Sequence, residues 1–193
     1  MIISVDGNIS SGKSTIVRNL RGAGRTVYPE PIESWTFLDK FYEDKRAYAL
    51  PLALQVLTSF AEYEFPPNDV IVTERSPLTN REVFTKMHAN DGTMRDDEWE
   101  LYKKYFDVLG WTPDAIVYIQ TPVETCHRRM LSRARMSETD VDFEYLERLE
   151  KSYDTLMRFV KVPVVFVDGT GEPDAVLRDV ELAIQKLTSG KVS

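Results

Sequence analysis

The sequence predicts an α/β fold built on a five-stranded parallel sheet with helices on both faces. Three observations carry the prediction. Five short β-branched runs punctuate the chain, helical patterns fill the intervals, and a glycine-bounded loop directly follows the first run. The runs are "IISV" near residue 2, "RTVY" near 25, "DVIVTE" near 69, "DAIVYIQ" near 114 and "VPVVFV" near 162. The central ones are continuous apolar stretches, which is the pattern of strands buried on both sides. Helices are predicted at 13–22, 51–65, 77–90, 95–110, 123–134, 142–159 and 173–188. No internal repeat or low-complexity segment breaks the alternation.

A chain of 193 residues predicts one domain spanning 1–193, large enough to build its own core. Its 42% hydrophobic and 28% charged content are globular values, and no apolar run reaches the about 18 residues that a spanning helix needs. No basic leader stands before the first strand, so a targeting segment is not expected and the chain reads as cytoplasmic. The single cysteine, Cys126, has no partner for an internal disulfide and no metal-ligand spacing, which predicts a half-buried thiol in a reduced compartment. With 24 Lys+Arg against 31 Asp+Glu, the net charge of −7 argues against a nucleic-acid polymer as partner. A small anionic ligand needs only a local positive cluster.

The loop after the first strand reads "VDGNISSGKST", Val5 to Thr15. Gly7, four residues and then Gly12-Lys13-Ser14 fit GxxxxGK[ST], with a strand before and an amphipathic helix after. In that reading the backbone of Gly7, Asn8, Ser10, Ser11, Gly12 and Thr15 curls around a di- or triphosphate, and Ile9 is expected to bind substrate. Lys13 puts a point charge on the outer phosphates, and the Ser14 hydroxyl ligates Mg²⁺. The alternative is an ordinary glycine-containing turn, against which the register of Lys and Ser stands. The loop therefore points to a nucleoside triphosphate, ATP or a relative.

Ligands of such sheets gather at the carboxyl ends of the strands. After the second strand, "EPIESW" holds Glu30 extended before Pro31, where a carboxylate can take a proton from an attacking hydroxyl. After the third, "TERSPL" ends the strand with Glu74, an acid in the position to approach Mg²⁺, and adds the planar cation Arg75. After the fourth, Arg128, Arg129, Arg133 and Arg135 precede a polar segment, the form of a mobile lid over about 129–141 that closes on phosphates. On the helix "PLALQVLTSFAEYEF", Gln55, Thr58 and Glu62 share one stripe, and in "PLTNREVF" Asn80 and Phe84 share a face. With Trp35 they would frame a slot for a planar heterocycle, although aromatics at such positions also serve as core.

Five motifs taken together, "GNISSGKST", "EPIESW", a lone Gln55 in an apolar helix, "ERS" followed by Arg81 and Phe84, and "RARMSETD" leading to "EYL", resemble the deoxyribonucleoside kinase family over residues 2–168. That family includes thymidine kinase 2, deoxycytidine kinase and the insect multisubstrate enzyme. The resemblance implies a single-domain phosphate-loop kinase with a short arginine-rich lid, using ATP and Mg²⁺ and acting as a homodimer. It implies Glu30 as general base on the sugar 5′-hydroxyl, Arg75 contacting Glu30 and the 5′-oxygen, and Glu74 holding the Mg²⁺ water shell. Gln55 would read the base edge, with Phe84 stacking on the ring and Trp35 walling the pocket. Tyr42 and Glu138 would bind the 3′-hydroxyl, while Arg129, Arg133 and Arg135 would be the lid arginines. Departures are Leu131, where the insect lid has another arginine, and the Glu62 and Asn80 pair, which matches neither the Arg/Asp pair of deoxycytidine enzymes nor the Met/Ala pair of thymidine-accepting ones. A small Thr58 leaves room for a 5-methyl group, so thymidine is the expected best substrate.

Two other classes fit parts of the chain. A thymidylate-type monophosphate kinase shares the loop, yet "EP" with "ERS" suits a hydroxyl acceptor better. In a GTP-driven switch, "DGTG" at Asp168 would have to follow the third strand, whereas here it follows the last.

Overall fold

The computed structural model describes residues 1–133 and 141–190. Five strands, β1 (Ile2–Asp6), β2 (Thr26–Tyr28), β3 (Ile71–Glu74), β4 (Ala115–Gln120) and β5 (Val164–Asp168), form one sheet in the order β2-β3-β1-β4-β5. Every pairing is parallel. The buried, β-branched strands explain the order: β1 and β4 bury nearly every residue, so they occupy the centre, while the short half-buried β2 closes one edge.

One face is covered by α1 (Lys13–Gly22) and α9 (Pro173–Thr188), whose Ile16, Leu20, Val180 and Ile184 pack on Ile3, Val5 and Val117. Against the other face lies α8 (Phe143–Phe159), where Leu146, Leu149 and Tyr153 meet Ile116 and Tyr118. A third cluster joins α2 (Leu38–Glu43), α3 (Lys45–Ala61) and α6 (Asp96–Leu109) through Phe41, Leu57, Tyr102 and Phe106. This cluster stands beside the sheet and builds the wall of the site. The helix α7 (Val123–Arg133) follows β4, and Cys126 on its inner face is fully buried, deeper than the half-buried thiol expected.

Two elements depart from the expected pattern. The helix expected from residue 51 begins at Lys45, because Asp44 caps it by accepting from the Ala47 amide at 3.0 Å, and Pro51 lies inside it. Residues 77–90 are helical throughout but not uniformly α. The α-turn α4 (Pro77–Thr79) passes into a π-helical turn, Asn80–Thr85, before α5 (Lys86–Asn90). Such wide turns are concentrated at functional sites. The lid positions Arg135 and Glu138 lie outside the described residues.

Candidate active site

The phosphate loop is shaped by close approach. A Cβ on Gly7 would lie 2.6 Å from Ser11 Oγ and 2.7 Å from the Ile119 carbonyl, so only glycine closes the turn. Gly12 caps α1 in the left-handed region, and no side chain caps the helix start. Lys13 folds back over the loop, donating from Nζ to the Asn8 carbonyl at 2.6 Å. Asn8 has both ends of its carboxamide engaged, Nδ2 donating to the Leu146 carbonyl and Oδ1 accepting from the Ile9 amide, which ties the loop to α8. The Ser11 carbonyl accepts from Thr121 Oγ1 and Arg129 Nη1, each at 3.2 Å. Thr15 sits in the first helical turn, its amide bonded to the Gly12 carbonyl. Ser14 Oγ donates to Glu74 Oε1 at 2.6 Å, joining the two residues expected at the metal.

The loop separates two depressions. On the β3 side a cavity has a charged mouth of Lys13, Ser14, Glu30, Glu74 and Arg75. Ile9, Trp35, Tyr42 and Phe84 wall it, and Asn80, Thr85 and His88 line it as well. On the β5 side a second depression is lined by Arg128, Arg129 and residues 169–173. Ser10, Lys13, Ser14 and Arg133 line both, so one row of side chains faces two binding volumes.

Glu30 and Arg75 form an ion pair with side chains only 5% and 9% exposed. Arg75 is fixed from every direction: Nε donates to the Tyr153 hydroxyl at 3.1 Å, and the guanidinium lies 4.9 Å from the Phe84 ring centroid. Its backbone is in the left-handed region, φ 60°, which a residue with a Cβ adopts only where the surroundings enforce it. The enforcing contacts are these side-chain bonds and the Arg75 amide, which donates to the Val5 carbonyl.

Gln55 and Thr58 are not among the residues that line the cavity, which corrects their expected contact with a base. The cavity face of α3 is Ala49, Leu52, Ala53 and Val56. Gln55 is turned toward the preceding connection, its Oε1 accepting from the Phe37 amide at 2.9 Å and its Nε2 donating to Thr36 Oγ1 at 3.0 Å. Thr58 and Glu62 are exposed, and the Thr58 hydroxyl donates to the Leu54 and Gln55 carbonyls. A single glutamine among apolar residues signals a partner for its amide, and here the partners are the Phe37 amide and the Thr36 hydroxyl.

The sequence pattern of the deoxynucleoside kinase family matches residues 3–187. The chain belongs to the deoxynucleoside kinase family. A putative kinase of Invertebrate iridescent virus 3 is 36% identical over 175 residues, covering 89% of each chain. A probable deoxycytidine kinase of fowlpox virus is 30% identical, covering 88% of this chain and 79% of the relative. Among solved structures, a deoxyadenosine kinase from M. mycoides with the products dCMP and dCDP superposes with a TM-score of 0.83 at 22% identity, covering 98% of this chain and 99% of the other.

This deoxynucleoside kinase concentrates its perturbed charges at the cavity mouth. Burial, the largest influence, raises the Glu30 carboxyl, and Glu74 adds to it while Arg75 opposes. Burial and then Arg75 bring Lys13 down to about 7, against the pull of Glu74 and Glu30. Burial works to discharge Arg75, but Glu30 and Tyr153 overcome it and hold the guanidinium protonated.

Several residues of the kinase's site escaped the sequence reading. Tyr153 has the look of core until its hydroxyl meets Arg75. His88 and Thr85 become visible only once the π-turn is known. Residues 169–173, which begin within the "DGTG" read as a mimic of a switch motif, stand beside the phosphate loop, with Gly169 packed so closely on Thr121 that a Cβ would lie 2.0 Å from its hydroxyl.

Proposed function

We propose that this kinase, as a single domain over 1–193, transfers the γ-phosphoryl group of ATP to the 5′-hydroxyl of a deoxynucleoside, thymidine first, deoxycytidine second and purines poorly. The observation that carries this reading is the shared row of Lys13, Ser14 and Arg133 between the two depressions, with Glu30 on one side only. A donor nucleotide on the β5 side and an acceptor on the β3 side meet at that row.

Glu30 accepts the proton of the 5′-hydroxyl, and its raised pKa brings it nearer the range of an effective base. Arg75 holds the carboxylate in one orientation and stays charged while doing so. Lys13, lowered to about 7 by burial, gains its full charge against phosphate oxygens. Arg129 and Arg133, with Arg135 from the lid, add positive charge on the donor side. Mg²⁺ fits the donor set: Ser14 and Glu74 offer hard oxygens 2.6 Å apart, and such a metal takes one or two protein ligands with phosphates and water filling the remainder. When bound, Mg·ATP supplies the phosphoryl group and the metal neutralises its charge. Tyr42, together with Glu138, grips the 3′-hydroxyl. The crowding of Phe41, Phe84 and His88 along the cavity favours a single-ring base. A cytoplasmic homodimer is the setting that likeness to the family supports.

The test is a panel of thymidine, deoxycytidine, deoxyadenosine, deoxyguanosine and thymidylate with Mg·ATP, followed by nucleotide product. Thymidine should give the highest kcat/KM. A purine nucleoside above thymidine defeats the base assignment, and thymidylate above every nucleoside defeats the hydroxyl acceptor.

A further inference from the structure

The connection between β2 and α2, residues 29–37, carries Glu30 and Trp35 to the cavity, yet its regular structure is a single 3₁₀ turn at Ile32–Ser34. What fastens it is α3. The Tyr63 hydroxyl donates to the Pro29 carbonyl at 2.8 Å, Trp35 Nε1 donates to Ser59 Oγ at 3.0 Å, and the Phe37 amide donates to Gln55 Oε1 at 2.9 Å. Gln55 and Ser59 stand four apart on one face of α3, and Tyr63 follows four further on, just past the helix end. The direction of each bond is fixed. A carbonyl only accepts, and an indole N–H or a backbone amide only donates. The Ser59 hydroxyl hydrogen is directed at the Val56 carbonyl, 2.8 Å away, which leaves a lone pair for Trp35.

Tyr63 is tied in a second way. Its ring centroid lies 4.9 Å from that of Tyr28, whose own hydroxyl donates to the Glu64 carbonyl. The tyrosine on β2 thus bonds the chain just past α3, and the tyrosine just past α3 bonds the chain just past β2. Burial, and next the charge of Glu30, push the Tyr63 phenol above its usual range, so it stays a donor.

We propose that Tyr63 is a positioning residue for Glu30, fixing through the Pro29 carbonyl the peptide plane from which the carboxylate is presented to the reacting hydroxyl. A peptide unit is planar, so a bond to the Pro29 oxygen also orients the Glu30 amide at the other end of the same plane. On the far side, Pro31 disfavours the helical region for the Glu30 backbone. Arg75 then holds the side chain itself. A reacting group misplaced by about 1 Å loses about a hundredfold in rate, and the loss of one restraint among several costs part of that. Ser59 does the corresponding work for Trp35, so the two ends of the stripe act on different quantities, turnover at Tyr63 and nucleoside affinity at Ser59. The inference rests on Glu30 being the base, as proposed above.

Steady-state kinetics with Mg·ATP and the best nucleoside of the panel test this in a double-mutant cycle of Tyr63→Phe and Glu30→Gln. Tyr63→Phe keeps the ring against Tyr28 and removes only the hydroxyl; kcat should fall about tenfold, with the nucleoside KM within about twofold of wild type. In the Glu30→Gln background the same change should lower kcat by less than about twofold, because a hydroxyl that acts through the carboxylate then has nothing left to position. A purely structural hydroxyl would cost the same in both backgrounds, and that result, or wild-type kcat in Tyr63→Phe, overturns the proposal. Ser59→Ala should fall instead on the nucleoside KM, raising it about threefold. An equal loss of kcat in Ser59→Ala and Tyr63→Phe would show the connection shifting as one body, which also overturns a specific role for Tyr63. If Glu30→Gln alone keeps wild-type turnover, the base assignment fails and the proposal with it; if Glu30→Gln is impaired and Tyr63→Phe is not, the base stands and the role of Tyr63 falls.

Discussion

The two depressions beside the phosphate loop are built by different means. On the β5 side the contacts are backbone groups and long arginines, with Arg128 and Arg133 exposed and Arg129 partly so. On the β3 side three charged groups are buried against specific partners: Glu30 on Arg75, Arg75 on Tyr153 and Glu74 on Ser14. Phosphates are common to every nucleotide and are met well enough by amides and mobile cations. Positioning one hydroxyl for attack requires side chains that cannot move, and burial with mutual hydrogen bonding supplies that. The difference predicts that damage on the β3 side will appear in turnover and damage on the β5 side in donor affinity.

The largest separation is expected from Glu30→Gln, which keeps a hydrogen-bond acceptor for Arg75 but removes the base. Turnover should drop by about 10²–10⁴ while nucleoside affinity stays within a few-fold. Steady-state kinetics alongside direct binding would check it, and retention of more than about a third of wild-type turnover would remove Glu30 from proton transfer. Lys13→Ala, at the border of the two regions, should lower turnover comparably; unchanged ATP turnover would remove the loop from the mechanism. A smaller effect, about tenfold, is expected for Arg129→Ala, and it should fall on the KM for ATP with kcat nearly constant. A loss confined to kcat would mean that the donor side is as rigidly coupled to the chemistry as the acceptor side. Tyr153→Phe should cost less again, a few-fold in kcat, since it removes one of three restraints on Arg75.

The smallest effect concerns stability. Burial brings the His88 pKa down to about 4, with Arg148 and Lys45 adding to the shift and Asp91 opposing it. An unfolded histidine titrates near about 6.5, so between these values the unfolded chain binds the extra proton. The stability associated with neutral His88 is therefore complete above about pH 6.5 and is lost as pH falls toward 4, with a limiting slope of about 1.4 kcal/mol per pH unit. Urea midpoints at pH 7, 6 and 5 should decline more steeply for the wild type than for His88→Leu. Parallel declines would show that His88 is not the titrating group.

How far the sequence could be read follows the same division. The phosphate loop, "EP" and "ERS" were legible because each is local: a strand end, a fixed spacing and a residue type whose chemistry is specific. The strands and most helices were legible for a similar reason, since β-branched runs and amphipathic periodicity are properties of short windows. The wall of the β3-side cavity was not. Which face of α3 it takes is set by packing against α2 and α6, and α3 itself starts after the Asp44 cap, six residues before the expected start. The stripe of α3 that meets the cavity is Ala49, Ala53 and Val56, and Gln55 lies on another face. The partners of Arg75 and Asn80 were hidden differently, because Tyr153 and Tyr102 lie far along the chain and nothing in their own neighbourhood marks them as more than core.

The π-turn at Asn80–Thr85 makes the cavity depend on a number as well as on residue types. In a regular α-helix, at about 100° per residue, Thr85 would stand about 140° around the axis from Asn80 and could not reach its carboxamide. The widened turn brings residues five apart side by side, and so allows Asn80, Phe84, Thr85 and His88 to line one cavity. Were the turn to relax to the α form with all its residues in place, His88 and everything beyond it would rotate out of phase with Asn80, whereas removing one residue between 80 and 85 would let the helix close to the α form with His88 near its present phase. A deletion scan would therefore find these positions more tolerant than those of the flanking α turns, where the loss of one residue turns everything beyond it by about 100°.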